Sequence, residues 1–174
     1  MKKILIVVDM QNDFIDGSLG TKEAEAIVEK CSEVIRSFDG GIVVTFDTHY
    51  GNYLETGEGQ KLPVPHCIKG TRGWELNYKI QKALEDKEYI SLEKETFGAV
   101  NLPKILEDNF DMDNTAIEFM GLCTDICVVS NALIVKTAYP ETKISVYSDC
   151  MAGVTPEKHN AAIEVMKSCQ IDVI

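Results

Sequence analysis

Positive charge is scarce in this chain. Seventeen lysines and arginines stand against 28 aspartates and glutamates, a formal charge of −11 over 174 residues. No basic stripe is present, which excludes a nucleic-acid partner. No apolar run approaches the roughly 18 residues that a membrane helix needs. The opening MKKILIVVDM has a charged head, but its apolar segment is too short for a signal peptide and Asp9 interrupts it. It reads instead as the first buried strand of a cytoplasmic protein. No GxGxxG or P-loop follows that strand, and the turn from Gln11 to Gly17 is acidic, so phosphate binding is disfavoured. Repeats, low-complexity tracts and visible boundaries are also missing, which leaves one domain over residues 1–174. Histidine is rare, at three residues. Cysteine is not: Cys31, Cys67, Cys123, Cys127, Cys150 and Cys169 are expected to be reduced thiols in a cytoplasmic chain.

The apolar pattern alternates short dense runs with helical spacing. Lys3 to Asp9 and Gly41 to Asp47 read as strands buried on both faces. Tyr89 to Leu92, Ala116 to Met120, Lys143 to Tyr147 and Ile171 to Ile174 read as four more. Helices are expected over Lys22 to Phe38, Trp74 to Leu84, from Leu102, after Gly121 as far as Ala138, and from Thr155 to Ser168. Thr155 serves as N-cap of the last, with Pro156 at its first position. Thr48 to Arg72 stays irregular, and loops this long are usually functional or disordered. The expected fold is three-layer α/β/α, with a mostly parallel six-stranded sheet between helices.

Parallel strands bring their carboxyl ends to one edge, where open α/β sheets bind ligands. Polar residues gather at those ends: Asp9 after strand one, Asp47 after strand two, Lys94 after strand three. In TAIEFMGLCTDICVVSNA, Cys127 falls in the expected first turn of a helix. A thiol at a helix start should have a lowered pKa. Carboxylate, ammonium and thiol together make a nucleophilic site. Asp9 would take the thiol proton and later protonate a leaving group, while Lys94 holds the thiolate by charge. Plainer uses exist as well. Asp9 could cap a turn, Lys94 could be a solvated charge and Cys127 a small buried apolar residue.

The long loop holds a second constellation. Asp47 and His49 lie two apart and point to the same side of an extended chain, and His66 follows in PVPHC. Two imidazoles and a carboxylate are ligand types of a divalent transition metal with open positions. Glu55 or Glu58 could add a fourth contact, and Cys67 is a competing thiolate ligand.

The segments DMQNDF at Asp9, DTH at Asp47, PHCIKGTRGWEL at His66, KETFGA at Lys94 and GLCTDICV up to Cys127 resemble, in order and spacing, the isochorismatase-like cysteine hydrolases. Within them the resemblance is to nicotinamidases, and it covers the whole chain. It implies Asp9, Lys94 and Cys127 as catalytic triad, and a cis peptide joining Leu122 to Cys123. It implies backbone N–H groups of Cys123 and Cys127 as an oxyanion hole. It also implies a divalent ion, zinc before iron or manganese, on Asp47, His49 and His66, with Glu58 as the added ligand of some members. Phe14, Leu122 and Phe97 would line the substrate site, with Leu62 and Tyr53 as further candidate walls. The metal loop departs from the family's DWHP, reading DTHYGNYLE, and Pro63 stands where an aromatic stacking residue is common. True isochorismatases lack the cysteine nucleophile.

The implied activity is hydrolysis of nicotinamide to nicotinate and ammonia through a thioester on Cys127. The partners implied are a small amide substrate and other copies of the chain, in the cytoplasm. Another small amide or carbamoyl compound is the alternative within the family. A non-catalytic metal or redox sensor, with Cys123 and Cys127 oxidised together, is the alternative outside it; that protein would not need Asp9 or Lys94.

Overall fold

The computed structural model describes residues 1–174. One sheet holds six strands: β1 (Lys2–Val8), β2 (Gly41–Asp47), β3 (Ile90–Lys94), β4 (Thr115–Leu122), β5 (Ile144–Ala152) and β6 (Asp172–Val173). Their spatial order is β3-β2-β1-β4-β5-β6, and every neighbouring pair is parallel. Seven helices connect them: α1 (Asn12–Ile15), α2 (Lys22–Ser37), α3 (Gly57–Lys61), α4 (Tyr78–Leu84), α5 (Leu102–Asn109), α6 (Val129–Ala138) and α7 (Pro156–Ser168). None is long and apolar enough to cross a membrane.

Alternation along β1 divides the core. Leu5 and Val7 pack with Val28, Cys31 and Ile35 of α2 and Ile80 of α4. Ile4, Ile6 and Val8 face the other way, onto Leu102 and Leu106 of α5, Val135 of α6 and Met166 of α7. Both faces of the sheet are therefore covered, which is why its strands read as continuous apolar runs.

Three elements differ from the sequence pattern. The helix expected from Trp74 begins at Tyr78, where the Asn77 side chain accepts from the Lys79 N–H. Residues before it are committed elsewhere: Gly73 and Glu75 carbonyls accept from Asp13 and Asn12, and the Asn77 N–H donates to the Met10 carbonyl. Backbone groups bonded across to the turn after β1 cannot also build a helix. The loop from Thr48 holds a 3₁₀ turn over Tyr53–Glu55 and α3, each too short for periodicity to show. Strand β5 runs to Ala152, five residues past the expected end, because a bulge breaks its alternation. Phe119 pairs with Val146 and Gly121 with Met151, so two steps of β4 span five of β5.

The chain walks from β1 outward through β2 to β3, then returns to the other side of β1 with β4. The direction of winding reverses between β1 and β4, and ligands bind at such a reversal. Gly121 lets the two strands meet there. Its φ is +121°, and a Cβ at that position would lie 2.1 Å from the Val8 carbonyl oxygen.

Candidate active site

Four strand ends supply the site. Asp9 follows β1 directly, in left-handed backbone at φ 47°, a conformation that costs a non-glycine residue about 1–2 kcal/mol. Thr45 of β2 holds it there: its hydroxyl donates to Asp9 Oδ1 at 2.6 Å and accepts from the Asp9 N–H at 3.2 Å. Lys94 ends β3, in register with Asp47 at the end of β2. Its ammonium lies 2.7 Å from Asp9 Oδ2 and 3.1 Å from Asp47 Oδ1, so one cation serves two buried carboxylates.

The thiol arrives from β4. The Leu122–Cys123 peptide bond is cis. A wide turn over Thr124–Val128 follows, in which the Val128 N–H donates to the Cys123 carbonyl at 3.1 Å. That bond spans five residues, so Cys127 stands in a π-type turn and not in the first turn of an α-helix. The N–H of Cys123 finds no acceptor in the fold. Cys127 Sγ lies 3.5 Å from Lys94 Nζ.

Electrostatics here differ from expectation. Burial pushes the Cys127 thiol well above its ordinary pKa, Asp9 pushes it further and Lys94 opposes both. The expected lowering fails because desolvation outweighs the single ammonium, and the thiol does not stand at the first turn of an α-helix. Burial also raises the Asp9 carboxyl, with Lys94 pulling it down and Asp47 adding to the rise. The thiol is thus neutral at rest, beside a carboxyl group of enhanced basicity. Lys94→Met should move the alkylation of Cys127 to still higher pH, since the main opposing charge is gone. Iodoacetamide labelling against pH checks this, and an unchanged profile would separate Lys94 from the thiol.

The second constellation also forms. Nε2 of His49 lies 3.1 Å, and Nε2 of His66 3.5 Å, from Asp47 Oδ2. Ligand atoms of all three residues fall within 4.8 Å of one another, and all three are buried. His66 Nδ1 is 2.9 Å from the Val64 carbonyl, which places the ring proton on Nδ1 and leaves the Nε2 lone pair towards Asp47. His49 Nε2 is buried with no hydrogen-bond partner. Two imidazole nitrogens around a carboxylate, one of them, His49 Nε2, without an aligned hydrogen-bond partner, fit a divalent ion well. Burial opposes the His66 charge, but Asp47 and the Val64 carbonyl outweigh it and raise its pKa. Asp47 is opposed by burial, but His49, His66 and Lys94 hold it far below the carboxylate range.

Glu58 Oε1 reaches to 3.8 Å from His49 and 3.6 Å from His66. The other two candidates do not join. Glu55 is exposed on the 3₁₀ turn, and Cys67 lies in the core beside Phe14, its N–H donating to Asp13. Phe14, Leu122 and Phe97 line a cavity of about 700 Å³ that reaches both Cys127 and the histidines; Leu62 lines it as well. Tyr53 is more than a wall. It is fully buried, meets the His49 and His66 rings edge-on at 4.8 and 5.1 Å, and donates its hydroxyl to the Leu62 carbonyl.

Two supporting side chains escaped the sequence reading. Gln11 clamps Asp47, donating to its carbonyl and accepting from its N–H, both at 2.8 Å. Asn131 bonds the Cys127 carbonyl, the Phe97 carbonyl and the Ala99 N–H, tying the loop after β3 to α6. Gln11 stood inside DMQNDF and was open to notice. Asn131 had no local signal, because two of its three partners, Ala99 and Phe97, lie more than 30 residues away.

The Isochorismatase domain model matches residues 3–174. An isochorismatase family protein PncA of Bacillus subtilis is 31% identical over 175 residues, covering 94% of this chain and 93% of its own. The crystal structure of nicotinamidase/pyrazinamidase PncA from Bacillus subtilis superposes with a TM-score of 0.85 at 28% identity, covering 99% of each chain. Pyrazinamidase of Pyrococcus horikoshii in complex with zinc superposes with a TM-score of 0.82 at 28% identity, covering 100% of this chain and 99% of its own. With its parallel sheet and its whole length matched, the chain belongs to the isochorismatase family and is a nicotinamidase-like amidohydrolase.

Proposed function

We propose that the protein hydrolyses nicotinamide to nicotinate and ammonia, with Cys127 as nucleophile. One observation carries this reading: a single cavity runs from Cys127, which Lys94 ties to Asp9 behind it, to two imidazole nitrogens converging on one carboxylate. A primary amide at one end and a ring nitrogen at the other match those two features.

In this mechanism Asp9 takes the thiol proton as Cys127 Sγ attacks the amide carbon. A raised carboxylate pKa suits that task, because a base works best near the operating pH. Lys94 stabilises the thiolate, which burial otherwise disfavours. Charge on the carbonyl oxygen is taken by the N–H groups of Cys123 and Cys127. Asp9 returns its proton to the departing nitrogen, and ammonia leaves a thioester on Cys127. Asp9 then deprotonates a water that cleaves the thioester to the carboxylate and restores the thiol.

Asp47, His49 and His66 would hold a divalent ion, zinc in our reading, with Glu58 as a fourth ligand. When bound, such an ion supplies a Lewis-acid position for a ring nitrogen or a water. Phe14 and Leu122 flank the ring, and Tyr53 keeps the two imidazoles in place. We take the cytoplasm as the compartment, since all six cysteines are free and such thiols persist where glutathione keeps them reduced.

Ammonia release over pyridine carboxamides, benzamide and carbamoyl compounds, with and without added zinc, tests the reading. Nicotinamide should be turned over best, and benzamide, which lacks the ring nitrogen, should lose at least about tenfold in kcat/KM, or 1.4 kcal/mol. Preference for a carbamoyl compound would move the substrate elsewhere. No ammonia from any of them would leave a sensor.

A further inference from the structure

The third histidine has no place in the chemistry above. His159 sits in the first half of α7, half-buried, and does not line the cavity. Its Nδ1 lies 2.8 Å from the hydroxyl of Thr124, a fully buried residue of the turn that delivers Cys127. The adjacent turn residue makes the reciprocal contact: Asp125 Oδ1 accepts from the Val154 N–H at 2.9 Å, in the link between β5 and α7. Gly153 makes room for this approach. A Cβ there would lie 2.8 Å from Asp125 Oδ1 and 2.8 Å from the backbone nitrogen of His159. The turn and the start of α7 thus hold each other by two hydrogen bonds.

Thr124 and Asp125 stand between Cys123 and Cys127, the residues that offer the backbone N–H groups and the thiol. A turn with α-helical bonding would be fixed by its own ladder. This one is widened to five-residue spacing, so outside contacts decide its shape. We propose that His159 is a positioning residue for the reaction: through Thr124 it fixes the turn that aligns Cys127 Sγ with the backbone donors. Burial lowers the pKa of the ring, with Asp125 opposing, so it is neutral at pH 7. A neutral Nδ1 either accepts the hydroxyl proton or donates to its oxygen, and the tie holds either way.

The inference rests on Cys127 being the nucleophile, and kinetics can separate the two. His159→Phe keeps the ring bulk and removes the polar atom. It should lower kcat about 10- to 100-fold, the scale of a misalignment of roughly 1 Å, while KM and bound metal stay unchanged. His159→Asn places an amide oxygen or nitrogen near the Nδ1 position and should restore most of kcat. Thr124→Val should match His159→Phe, and the double variant should be no worse than either single one, as for two ends of one interaction. Wild-type kcat in His159→Phe, or additive losses without rescue by asparagine, would overturn the role. Cys127→Ala run in parallel reports on the nucleophile: if it stays active, the proposed function fails and not merely the positioning.

Discussion

Cys127→Ala abolishes turnover and leaves the protein folded; that is the expected result with the largest effect. Without the sulfur no thioester forms, and the remaining groups can only polarise the amide. The loss should be about 10⁴-fold or more in kcat, the scale on which nucleophile deletions fall. The fold should tolerate it. Cys127 is buried, but it contributes one sulfur to a core face of twenty buried residues. Its thiol is neutral at rest, so no charge loses a partner. Cost in stability should be about 1 kcal/mol, an ordinary value for a point change, read by thermal unfolding. Cys123→Ala should keep most of the activity, because the backbone N–H and not the side chain is in use. Equal loss in both variants would point to a thiol pair acting together. An acyl adduct trapped on Cys127 and found by mass spectrometry would decide for the thioester.

His49→Ala should strip the metal and raise KM steeply, while the apoprotein stays folded. The imidazole is one of three buried donors, and its Nε2 has no other partner in the fold. Losing a direct ligand should weaken binding by more than the roughly 10- to 100-fold that loss of an outer partner costs. Both core clusters form without His49 or His66, so folding does not wait for the ion. A small zinc domain behaves otherwise, since there binding and folding are one event. Added metal should still stabilise wild type by mass action, by about 2.7 kcal/mol at a hundredfold excess over Kd, and so raise its melting temperature, and should leave His49→Ala unmoved. Elemental analysis of both proteins, then kinetics on nicotinamide, is the measurement. Full wild-type activity in chelator, with no stoichiometric metal bound, would remove the ion from the reaction and favour an amide without a ring nitrogen.

The strands were legible because they are buried on both faces. Lys3 to Asp9 and Gly41 to Asp47 carry dense runs of apolar residues, and the structure gives β1 and β2 within a residue or two. Trp74 misled, because the apolar spacing from Trp74 to Leu84 is helical while the backbone before Tyr78 is claimed by the turn after β1. Periodicity sees side chains and not the partners of N–H groups. The gathering of Asp9, Asp47, Lys94 and Cys127 followed from parallel topology alone. The thiol's pKa did not, because its sign depends on how completely Cys127 is desolvated, which no local pattern reports. Glu55 and Glu58 were indistinguishable on composition. The turn of chain at Tyr53–Glu55 separates them, sending Glu55 to solvent and Glu58 to the histidines.

No fragment of this chain can carry its chemistry. The bonds that tie Asp9 to Thr45, Lys94 to Asp47 and Lys94 to Cys127 each span more than 30 residues. The partners of each bond come from different strands, so each pairing must first bear the entropy of closing a long loop. Such non-local contacts form late and together. A polypeptide that stops before β4, or one whose two halves of sheet have parted, retains much helix and strand but no competent thiol. Turnover is therefore a stricter measure of intact structure than any spectroscopic count of secondary structure, and the first property to disappear when the sheet opens between β1 and β4.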